Sequence, residues 1–550
     1  MGRSVRITRA SAVRGTVASC ALLATMTLMG CPRDGHAGHP GADDSRSAQG
    51  SVAGAPAASA PAASDPATVS PSTPVPQGPP AVVPAVREYT QRSGPGWRPA
   101  PGARVVAAAG KPADEARRLA GDLGLTYDAG PARPGDVELI ARAGQAGGPE
   151  SYELTVQDHK VTITAPEAAG LFYGTRTVVQ AVRGGGGLPE GVIKDAPDRP
   201  QRGLNLDTAR KHFTADWIAA RLRELADLKL NQLGLHFSDD QGFRIESSSH
   251  PEVVSPQHLT KAELRRIVAL ASDLHITVVP EIDSPGHLGA VIAARPALQL
   301  RDASGTAARG AVDIGNPESA RVVDDLLREY APLFPGPWFH LGADEYRALM
   351  SRDPQASYPR LAQLARQRFG PQGRVQDLAT AWLNDRAAVV RGLGKTPKAW
   401  NDGFFTGGVV APDKSIEVEY WTGKEIGARR PQDYLNEGRT VVNLNDEYLY
   451  YVLGEPNDFH YPTGERIYGA WSPPVLRGTG PVPPNVASGA DRVPGGRLAV
   501  WCDRADAQSP EQVAAGIRLP LAAVSQRLWD PRPPRLSWAD FAALAGRVRR

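Results

Sequence analysis

The chain has 550 residues, of which 41% are hydrophobic and 22% charged, so it is long enough for two or three domains with ordinary globular cores. The 62 lysines and arginines nearly balance the 59 acidic residues, and no dense basic run lies outside the N-terminus. This balance argues against nucleic acid as the main partner, because proteins that bind nucleic acid concentrate Lys and Arg on one face. The three cysteines, Cys20, Cys31 and Cys502, exclude a disulfide scaffold and a cysteine-rich metal site.

Residues 1–31 have the layout of an export signal. Four arginines between positions 3 and 14 precede an apolar run at 17–30, which is shorter than the roughly 20 residues that a membrane-spanning helix needs. The segment ends in Leu28-Met29-Gly30-Cys31, which resembles the signal of a bacterial lipoprotein. That resemblance implies a lipid on Cys31 and an exported protein anchored to the cell membrane. Cleavage at another small residue, without a lipid, is the alternative.

Residues 32–97 are rich in alanine, proline, serine and glycine and contain few large apolar side chains. Burial of so little apolar surface cannot offset the conformational entropy that ordering would cost. We therefore predict a disordered linker, which would hold the folded part of an anchored protein away from the membrane.

The pattern at residues 98–199 predicts a small α+β domain. Runs typical of strands lie at 104–108 and 136–141, with a helical stretch at 113–123 between them. Segments 150–156 and 160–164 alternate like a hairpin, and a helix begins at about 167 and ends before the four glycines at 184–187. No group of residues suited to catalysis is found in this part of the chain.

From residue 200 to 550, apolar runs typical of strands alternate with amphipathic helices, the pattern of parallel βαβ units. The eight predicted strands are 203–206, 232–237, 277–282, 338–341, 397–399, 416–420, 440–444 and 498–500. Eight such units predict an α/β fold of the (β/α)₈ barrel type. Catalytic groups in that fold lie at the C-terminal ends of the strands.

Acidic, amide or aromatic residues follow each predicted strand. Asp and Asn favour turns, which would explain many of them. Turn chemistry does not explain the tryptophans Trp400, Trp421 and Trp501 at three strand ends. Aromatic rings that face carboxylates suit a sugar, whose C–H faces pack on the rings while its hydroxyls bond to the acids. The sequence therefore predicts a sugar-binding pocket at this end of the barrel.

Four ordered motifs carry a resemblance to a known family. They are RGLNLDTAR at 202–210, LHFSDDQGFR at 235–244, VPEIDSPGH at 279–287 and FHLGADE at 339–345. They closely resemble the signature segments of the family 20 glycoside hydrolases, the β-N-acetylhexosaminidases. The segment SQRLW at 525–529 is similar to the end of the family's barrel, and EAAGLFYGT at 167–175 is similar to its N-terminal domain. The resemblance covers about residues 100–550.

The adjacent acids Asp344 and Glu345 suit the substrate-assisted mechanism of this family. An ordinary retaining glycosidase opposes two carboxyl groups about 5 Å apart, whereas neighbouring side chains on a strand diverge. In substrate assistance the 2-acetamido carbonyl of the sugar attacks the anomeric carbon and gives an oxazolinium intermediate. The resemblance implies that Glu345 is the general acid and base, and that Asp344 holds the acetamido N–H and stabilises the positive charge. The implied reaction releases terminal β-linked N-acetylglucosamine or N-acetylgalactosamine with retention and needs no metal or cofactor.

The resemblance also implies roles for the surrounding residues. Asp239 and His287 match a relay to the acid/base. Arg210 matches the arginine that binds the outer hydroxyls of the terminal sugar, and Tyr448 matches the tyrosine that bonds the acetamido oxygen. Either Tyr450 or Tyr451 is an alternative to Tyr448, because the run of tyrosines permits a register error. The residues implied to form the aromatic walls are Trp400, Trp421 and Trp501.

Two positions depart from the family pattern. The family often has an aspartate two residues after the substrate-binding tyrosine, where this chain has Tyr450, and a glutamate two residues after the last tryptophan, where this chain has Asp503. Both positions contact outer hydroxyls of the terminal sugar in exo-acting members. The departures open the alternative of a different specificity, such as release of a disaccharide.

Two further alternatives come from other classes of protein. A metal hydrolase would use histidines and a carboxylate pair, but no His-x-His or His-Glu-x-x-His spacing is present. Its candidate ligands are His212, His236, His287, His340, Asp239 and Asp240. The other alternative is a glycan-binding lipoprotein that has lost catalysis, against which the intact Asp344-Glu345 pair argues.

Overall fold

The computed structural model describes residues 77–144, 147–425, 427–455, 457–485 and 489–549. These residues belong to one compact unit, Ser72–Arg550. The predicted signal peptide, Cys31 and the linker up to residue 76 lie outside the described residues. Within those residues, no helix combines the length and the apolar character that crossing a membrane requires.

The N-terminal part of the described chain is a small α+β domain, as predicted. Its strands form one seven-stranded sheet in the order β1-β7-β5-β6-β4-β2-β3, with β5 and β6 as the predicted antiparallel hairpin. The strands are β1 (Glu88–Gln91), β2 (Arg104–Ala107), β3 (Thr126–Asp128), β4 (Val137–Ala141), β5 (Tyr152–Gln157), β6 (Lys160–Ala165) and β7 (Gly191–Asp195), and the helices are α1 (Lys111–Leu123) and α2 (Ala168–Gly185).

The folded chain begins earlier than the sequence predicted. Strand β1 lies inside the predicted linker, yet it pairs antiparallel with β7 along its whole length. Val82, Val83 and Val86, which also lie in the predicted linker, are buried in the core. The sequence pattern did not predict this segment because β1 is a short, polar and largely exposed edge strand. The linker therefore does not extend to residue 97.

The larger part of the chain is a (β/α)₈ barrel. Within the described residues eight parallel strands follow one another around it, and the last pairs with both the seventh and the first, which closes the barrel. These strands are β8 (Gln201–Asp207), β9 (Gln232–His236), β10 (Thr277–Glu281), β13 (Trp338–His340), β14 (Thr396–Trp400), β15 (Glu417–Tyr420), β16 (Val441–Asn443) and β18 (Gly495–Trp501). Each overlaps one of the eight predicted strands.

Three further strands in the described part of residues 200–549 were not predicted. β11 (Gln299–Arg301) and β12 (Ala307–Val312) form an antiparallel hairpin outside the barrel wall. β17 (Tyr450–Val452) runs parallel to the last barrel strand and pairs with its C-terminal half, from Ala499 to Trp501. This pairing brings β17 to the rim of the barrel at the C-terminal ends of its strands.

Helices lie between the barrel strands and after the last of them, and several bury one apolar face. Helix α4, for example, begins with a capping box between Thr260 and Glu263 and buries Leu264, Ile267 and Ala271. The helices are α3 (Ala215–Asp227), α4 (Lys261–Asp273), α5 (Gly289–Ala294), α6 (Pro317–Tyr330), α7 (Pro354–Ser357), α8 (Pro359–Phe369), α9 (Val375–Gly392), α10 (Pro431–Asn436), α11 (Asp446–Leu449), α12 (Gly464–Ala470), α13 (Pro510–Gly516), α14 (Arg518–Trp529) and α15 (Trp538–Val548).

A fully buried lysine joins the small domain to the barrel. Lys229, between α3 and β9, places its Nζ 3.3 Å from Oδ2 of Asp195 at the end of β7, and neither side chain is exposed to solvent. The same ammonium group donates hydrogen bonds to the hydroxyls of Tyr152 and Thr177, each at 2.9 Å. Since the oxygen atoms of Asp195, Tyr152 and Thr177 all belong to the small domain, the charge of Lys229 ties the two parts of the chain together.

Replacement of this lysine should destabilise the protein strongly. In Lys229→Met, the buried carboxylate of Asp195 loses its cation, and breaking a buried ion pair from one side costs about 3–5 kcal/mol. The matched control is Lys194→Met, whose ammonium lies 3.9 Å from Glu153 in an exposed pair and should contribute less than about 1 kcal/mol. Denaturant unfolding measures both, and equal free energies of unfolding for the two variants would contradict this account.

Candidate active site

A cavity lies at the C-terminal ends of the barrel strands and gathers most of the predicted site residues. Its walls carry both acids of the FHLGADE motif, a histidine, an arginine and several aromatic rings. The lining residues are Arg210, His287, Asp344, Glu345, Trp421, Tyr450, Val452, Phe459, Trp501 and Asp503. Of the ten predicted site residues within the described chain, Asp239, Trp400 and Tyr448 do not line it.

The backbone after β13 turns both acids toward the cavity. Gly342, Ala343 and Glu345 have φ angles of 71°, 80° and 45°, in the left-handed region that non-glycine residues seldom adopt. A side chain at Gly342 would collide with Asp283, whose Oδ1 accepts a hydrogen bond from the Ala343 N–H at 3.1 Å. Strain of this kind is typical of functional sites. Its effect here is that two neighbouring carboxyl groups, Asp344 and Glu345, reach the same cavity.

His287 connects the acids to Asp239. Its Nδ1 lies 3.2 Å from Oδ2 of Asp239, and its Nε2 lies 3.5 Å from Oε2 of Glu345 and 3.6 Å from Oδ2 of Asp344. Burial alone would lower the pKa of His287, but the surrounding carboxylates raise it well above its ordinary value. The hydrogen bond from His287, reinforced by its charge, holds the pKa of Glu345 below its usual range despite burial. Asp239, His287 and Glu345 therefore form a contiguous set of contacts, and their role as a relay stays a prediction.

Asp344 shares its surroundings with a second buried carboxyl group, Asp283. Burial and the neighbouring Asp344 raise the pKa of Asp283 well above its ordinary value. Burial also raises the pKa of Asp344, which the cationic His287 and a hydrogen bond from Asp283 oppose. Both pKa values are thus raised, and that of Asp283 is raised more, because the hydrogen bond from Asp283 favours the charged form of Asp344.

Arg210 also lines the cavity and is held by two carboxylates. Its Nη1 lies 2.9 Å from Oδ2 of Asp207, and its Nη2 lies 2.8 Å from Oδ2 of Asp239. Its guanidinium carbon is 5.6 Å from the centre of the Trp501 ring. Asp503 also lines the cavity, at its rim. Partial desolvation of its carboxyl group there raises its pKa. Both terminal nitrogens of Arg210 are thus engaged within the protein.

The aromatic wall consists of Trp421, Tyr450 and Trp501. The rings of Trp421 and Tyr450 stack with centres 5.6 Å apart and planes 6° from parallel, and Tyr450 lies 5.8 Å from Trp501. Trp400, which the sequence placed in this wall, is instead almost fully buried behind Trp501. Its Nε1 donates to Glu281 at 2.9 Å. Trp400 therefore supports the wall and does not form its surface.

The structure favours Tyr450 over Tyr448 as the tyrosine of the site. Tyr448 belongs to the short helix α11, where its ring packs beneath the guanidinium of Arg466 at 4.4 Å, outside the cavity lining. Tyr450 and Val452 line the cavity, while Tyr451 between them donates to Gln508 outside it. This alternation is that of a strand, whose successive side chains point to opposite faces. The prediction of Tyr448 missed it because β17 is only three residues long.

The side of the cavity next to Tyr450 carries apolar side chains. Val452, two residues after Tyr450, lines the cavity. Phe459, which the sequence did not single out, lies beside Tyr450 with ring centres 5.6 Å apart. This side of the cavity is therefore more apolar than the sequence suggested.

Among the residues that the structure describes, two groups of side chains bring three ligand atoms within 4.8 Å of one another, as a metal site would. They are His236 with Glu281 and Asp283, and Asp283 with His287 and Asp344. Both imidazoles already lie within 3.2 Å of Asp239 through a ring nitrogen. A cation in either place would have to compete with these ion pairs.

Comparison with known proteins places the chain in a family. Residues 200–532 match the family described as glycosyl hydrolase family 20, catalytic domain. Residues 79–196 match glycosyl hydrolase family 20, domain 2. The first match alone covers more than half of the chain, so the protein belongs to glycosyl hydrolase family 20.

Individual relatives match between about half and most of this chain, and the chain spans 41% and 57% of the length of the two curated relatives described here. Lacto-N-biosidase of Bifidobacterium bifidum is 29% identical over 474 residues, which cover 84% of this chain and 41% of that protein. The β-N-acetylhexosaminidase of Cellulomonas fimi is 33% identical over 291 residues, covering 49% of this chain and 57% of that protein. The solved structure of the family 20 β-N-acetylhexosaminidase of Streptomyces coelicolor is 25% identical with a TM-score of 0.68, covering 85% of this chain and 94% of that chain.

The contact between His287 and Glu345 predicts a change in pH dependence. In His287→Gln the Glu345 carboxyl group loses the cation that favours its charged form, so its pKa should rise by about one unit or more. The alkaline limb of kcat/KM on a chromogenic N-acetylglucosaminide, above which the acid is deprotonated, should then move to higher pH by the same amount. His258→Gln, a histidine bonded to the Ser255 carbonyl, is the control and should leave the limb in place. A limb that stays or moves to lower pH in His287→Gln would contradict the coupling.

Proposed function

We propose that the protein is a retaining β-N-acetylhexosaminidase that cleaves terminal β-linked N-acetylhexosamine from glycans. The observation that carries this proposal is the set formed by Asp344, Glu345 and His287 opposite the aromatic wall of Trp421 and Tyr450. The two neighbouring acids reach one cavity together, which suits a mechanism in which the substrate supplies its own nucleophile.

The proposed reaction has two steps. In the first, the acetamido carbonyl oxygen forms a bond to the anomeric carbon while the glycosidic bond breaks, and Glu345 gives its proton to the leaving oxygen. Asp344 accepts a hydrogen bond from the acetamido N–H, and its negative charge offsets the positive charge of the oxazolinium ring. Tyr450 is placed to donate its hydroxyl to the acetamido oxygen. In the second step Glu345 takes a proton from water, which attacks the anomeric carbon and reopens the ring.

Hydrolysis by Glu345→Gln tests the assignment of the acid. Proton transfer contributes about 10²–10⁴-fold to rate and matters most when the leaving group is a poor one. We expect the variant to lose that much activity on oligosaccharides and far less on aryl glycosides with acidic phenols. Equal losses on both kinds of substrate would remove Glu345 from the acid role, and a wild-type protein inactive on both N-acetylglucosaminides and N-acetylgalactosaminides would refute the proposed function.

A second candidate function, release of a disaccharide, is favoured by the apolar side of the cavity. Val452 offers no hydrogen bond to a sugar hydroxyl, and Arg210 already binds Asp207 and Asp239 through its two terminal nitrogens. A hydroxyl buried there without a partner costs free energy. A second sugar attached at this position would replace that hydroxyl and could lay its apolar face on Phe459. The name of the B. bifidum relative, lacto-N-biosidase, is in line with such a substrate.

Comparison of two substrates separates the candidates. The wild-type protein should prefer p-nitrophenyl lacto-N-bioside to p-nitrophenyl β-N-acetylglucosaminide if it releases a disaccharide. Val452→Asp supplies an acceptor for an outer hydroxyl and should shift the ratio of the two kcat/KM values toward the monosaccharide by about 10-fold or more. Val409→Asp, at an exposed position, is the control. A wild-type preference for the monosaccharide with no response to Val452→Asp would exclude disaccharide release.

We further propose that the protein is exported and held at the membrane by a lipid on Cys31. The support is the basic segment, the apolar run and the Leu28-Met29-Gly30-Cys31 end in the sequence. Cys31→Ser should release the protein into the soluble fraction or block its processing, whereas Cys20→Ser should change neither. Mass spectrometry of the mature N-terminus checks the lipid directly, and a soluble wild-type protein without lipid would contradict the proposal.

A further inference from the structure

Asp402 accepts two hydrogen bonds from residues outside its own turn. It follows β14, and its Oδ2 accepts the backbone N–H of Glu345 at 2.8 Å. Its Oδ1 accepts the indole N–H of Trp421 at 3.0 Å. These partners are 57 and 19 residues away in the sequence, on the loops after β13 and β15. One carboxyl group therefore joins the loop of the acid to the aromatic wall of the cavity.

The placement of Asp402 is electrostatically unfavourable. Burial and the nearby carboxylate of Asp344 raise the pKa of Asp402 to about 8. An amide or a hydroxyl could accept one of the two hydrogen bonds without adding a further carboxyl group. Three others, those of Asp283, Asp344 and Glu345, already lie close together here. A rigid carboxyl group, however, presents two acceptor oxygens in a fixed fork, which neither a hydroxyl nor an amide does. The geometry thus favours a carboxyl group where the electrostatics opposes one.

The bond to Glu345 acts on a strained stretch of backbone. Glu345 has a φ of 45°, and Ala343 two residues before it has a φ of 80°. Such conformations persist only where surrounding contacts hold them. Two contacts from the end of β14 and the turn after it hold this segment. The Asp402 carboxyl group accepts the Glu345 N–H, and the Trp400 N–H donates to the Gly342 carbonyl at 2.9 Å.

We propose that Asp402 is a positioning residue that sets the place of the proton donor Glu345 relative to the ring of Trp421. The inference rests on the proposed function, in which Glu345 protonates the leaving oxygen while Trp421 bounds the acetamido group. In a reaction whose nucleophile is the acetamido group of the substrate, the acid and the ring that bounds this group must be aligned with each other. A misplacement of about 1 Å can cost 10²-fold in rate. Asp402 touches both parts and meets that need without touching the substrate.

The experiment compares three single variants, and the double variant of the first two, with the wild type. Asp402→Asn keeps the size but turns one acceptor oxygen into a donor, and Trp421→Phe removes the indole N–H together with part of the ring area while it keeps an aromatic ring. Asp377→Asn is the matched control, because Asp377 is also buried and accepts the backbone N–H groups of Arg374 and Val410, each at 2.9 Å. It lies outside the cavity lining, at the start of α9.

Two measurements separate positioning from folding. The first is kcat for aryl N-acetylglucosaminides with leaving groups of graded pKa, and the second is the affinity for a thiazoline analogue of the cyclised intermediate. Asp402→Asn should lower kcat about 10–100-fold for poor leaving groups and much less for good ones. It should also weaken thiazoline binding. Trp421→Phe should weaken thiazoline binding while its dependence on the leaving group stays that of wild type, and its effect on thiazoline binding should be smaller in the Asp402→Asn background than in the wild type.

The outcomes are distinguishable from one another. If the wild type is active and Asp402→Asn, like Asp377→Asn, loses thermal stability but keeps kcat and its leaving-group dependence, Asp402 is structural and the inference is wrong. If Asp402→Asn does not fold, Trp421→Phe with unchanged thiazoline affinity overturns it as well. A wild type that hydrolyses no N-acetylhexosaminide would refute the proposed function, and the inference with it.

Discussion

One imidazole among buried carboxyl groups is the interaction on which the site depends. His287 has Asp239 on its Nδ1 side at 3.2 Å and Asp344 and Glu345 on its Nε2 side at 3.6 and 3.5 Å. Acids brought this close in a buried place would not all ionise without a cation between them. The positive charge of His287 opposes the rise that burial causes in the pKa of Asp344, and it keeps the pKa of Glu345 low. The loop conformations that bring these groups together are therefore useful only with the histidine in place.

The same alternation of charge continues down the inside of the barrel. His236 bridges Asp239 and Glu281 at 2.9 and 3.1 Å, and Glu281 lies 3.3 Å from His340. Below them, Glu419 lies 3.2 Å from Lys398 and is also paired with Arg497. The interior of a barrel of this type is usually filled by branched apolar side chains. Here much of it is a ladder of buried ion pairs, which stays stable only if each charge keeps its partner.

The barrel was predictable because each strand is a short apolar run that ends in polar or aromatic residues, and all eight predicted runs became barrel strands. The small domain followed from its hairpin and helices, whereas β1 was missed because four polar residues at a sheet edge show no apolar pattern. The sequence motifs identified four residues that line the cavity: Arg210, His287, Asp344 and Glu345.

The structure was needed where several residues of one type are candidates for the same position. Only the pairing of β17 with β18 separates Tyr450 from Tyr448, and only ring packing separates Trp400 from Trp421. Asp402 gives no local signal, because an acid after a strand is ordinary turn chemistry and its two partners are distant in sequence.

The central claim is that the substrate, and not the protein, supplies the nucleophile, and Asp344 is the residue at which the two mechanisms differ most. Asp344→Asn removes the charge that offsets the oxazolinium ring and should lower kcat by about 10²–10³-fold. The deciding measurement is mass spectrometry of the wild-type protein after incubation with an activated 2-fluoro sugar that lacks the acetamido group. Substrate assistance predicts no covalent adduct, since that sugar has no internal nucleophile. A glycosyl adduct on Asp344 would contradict the account and make this carboxylate the nucleophile.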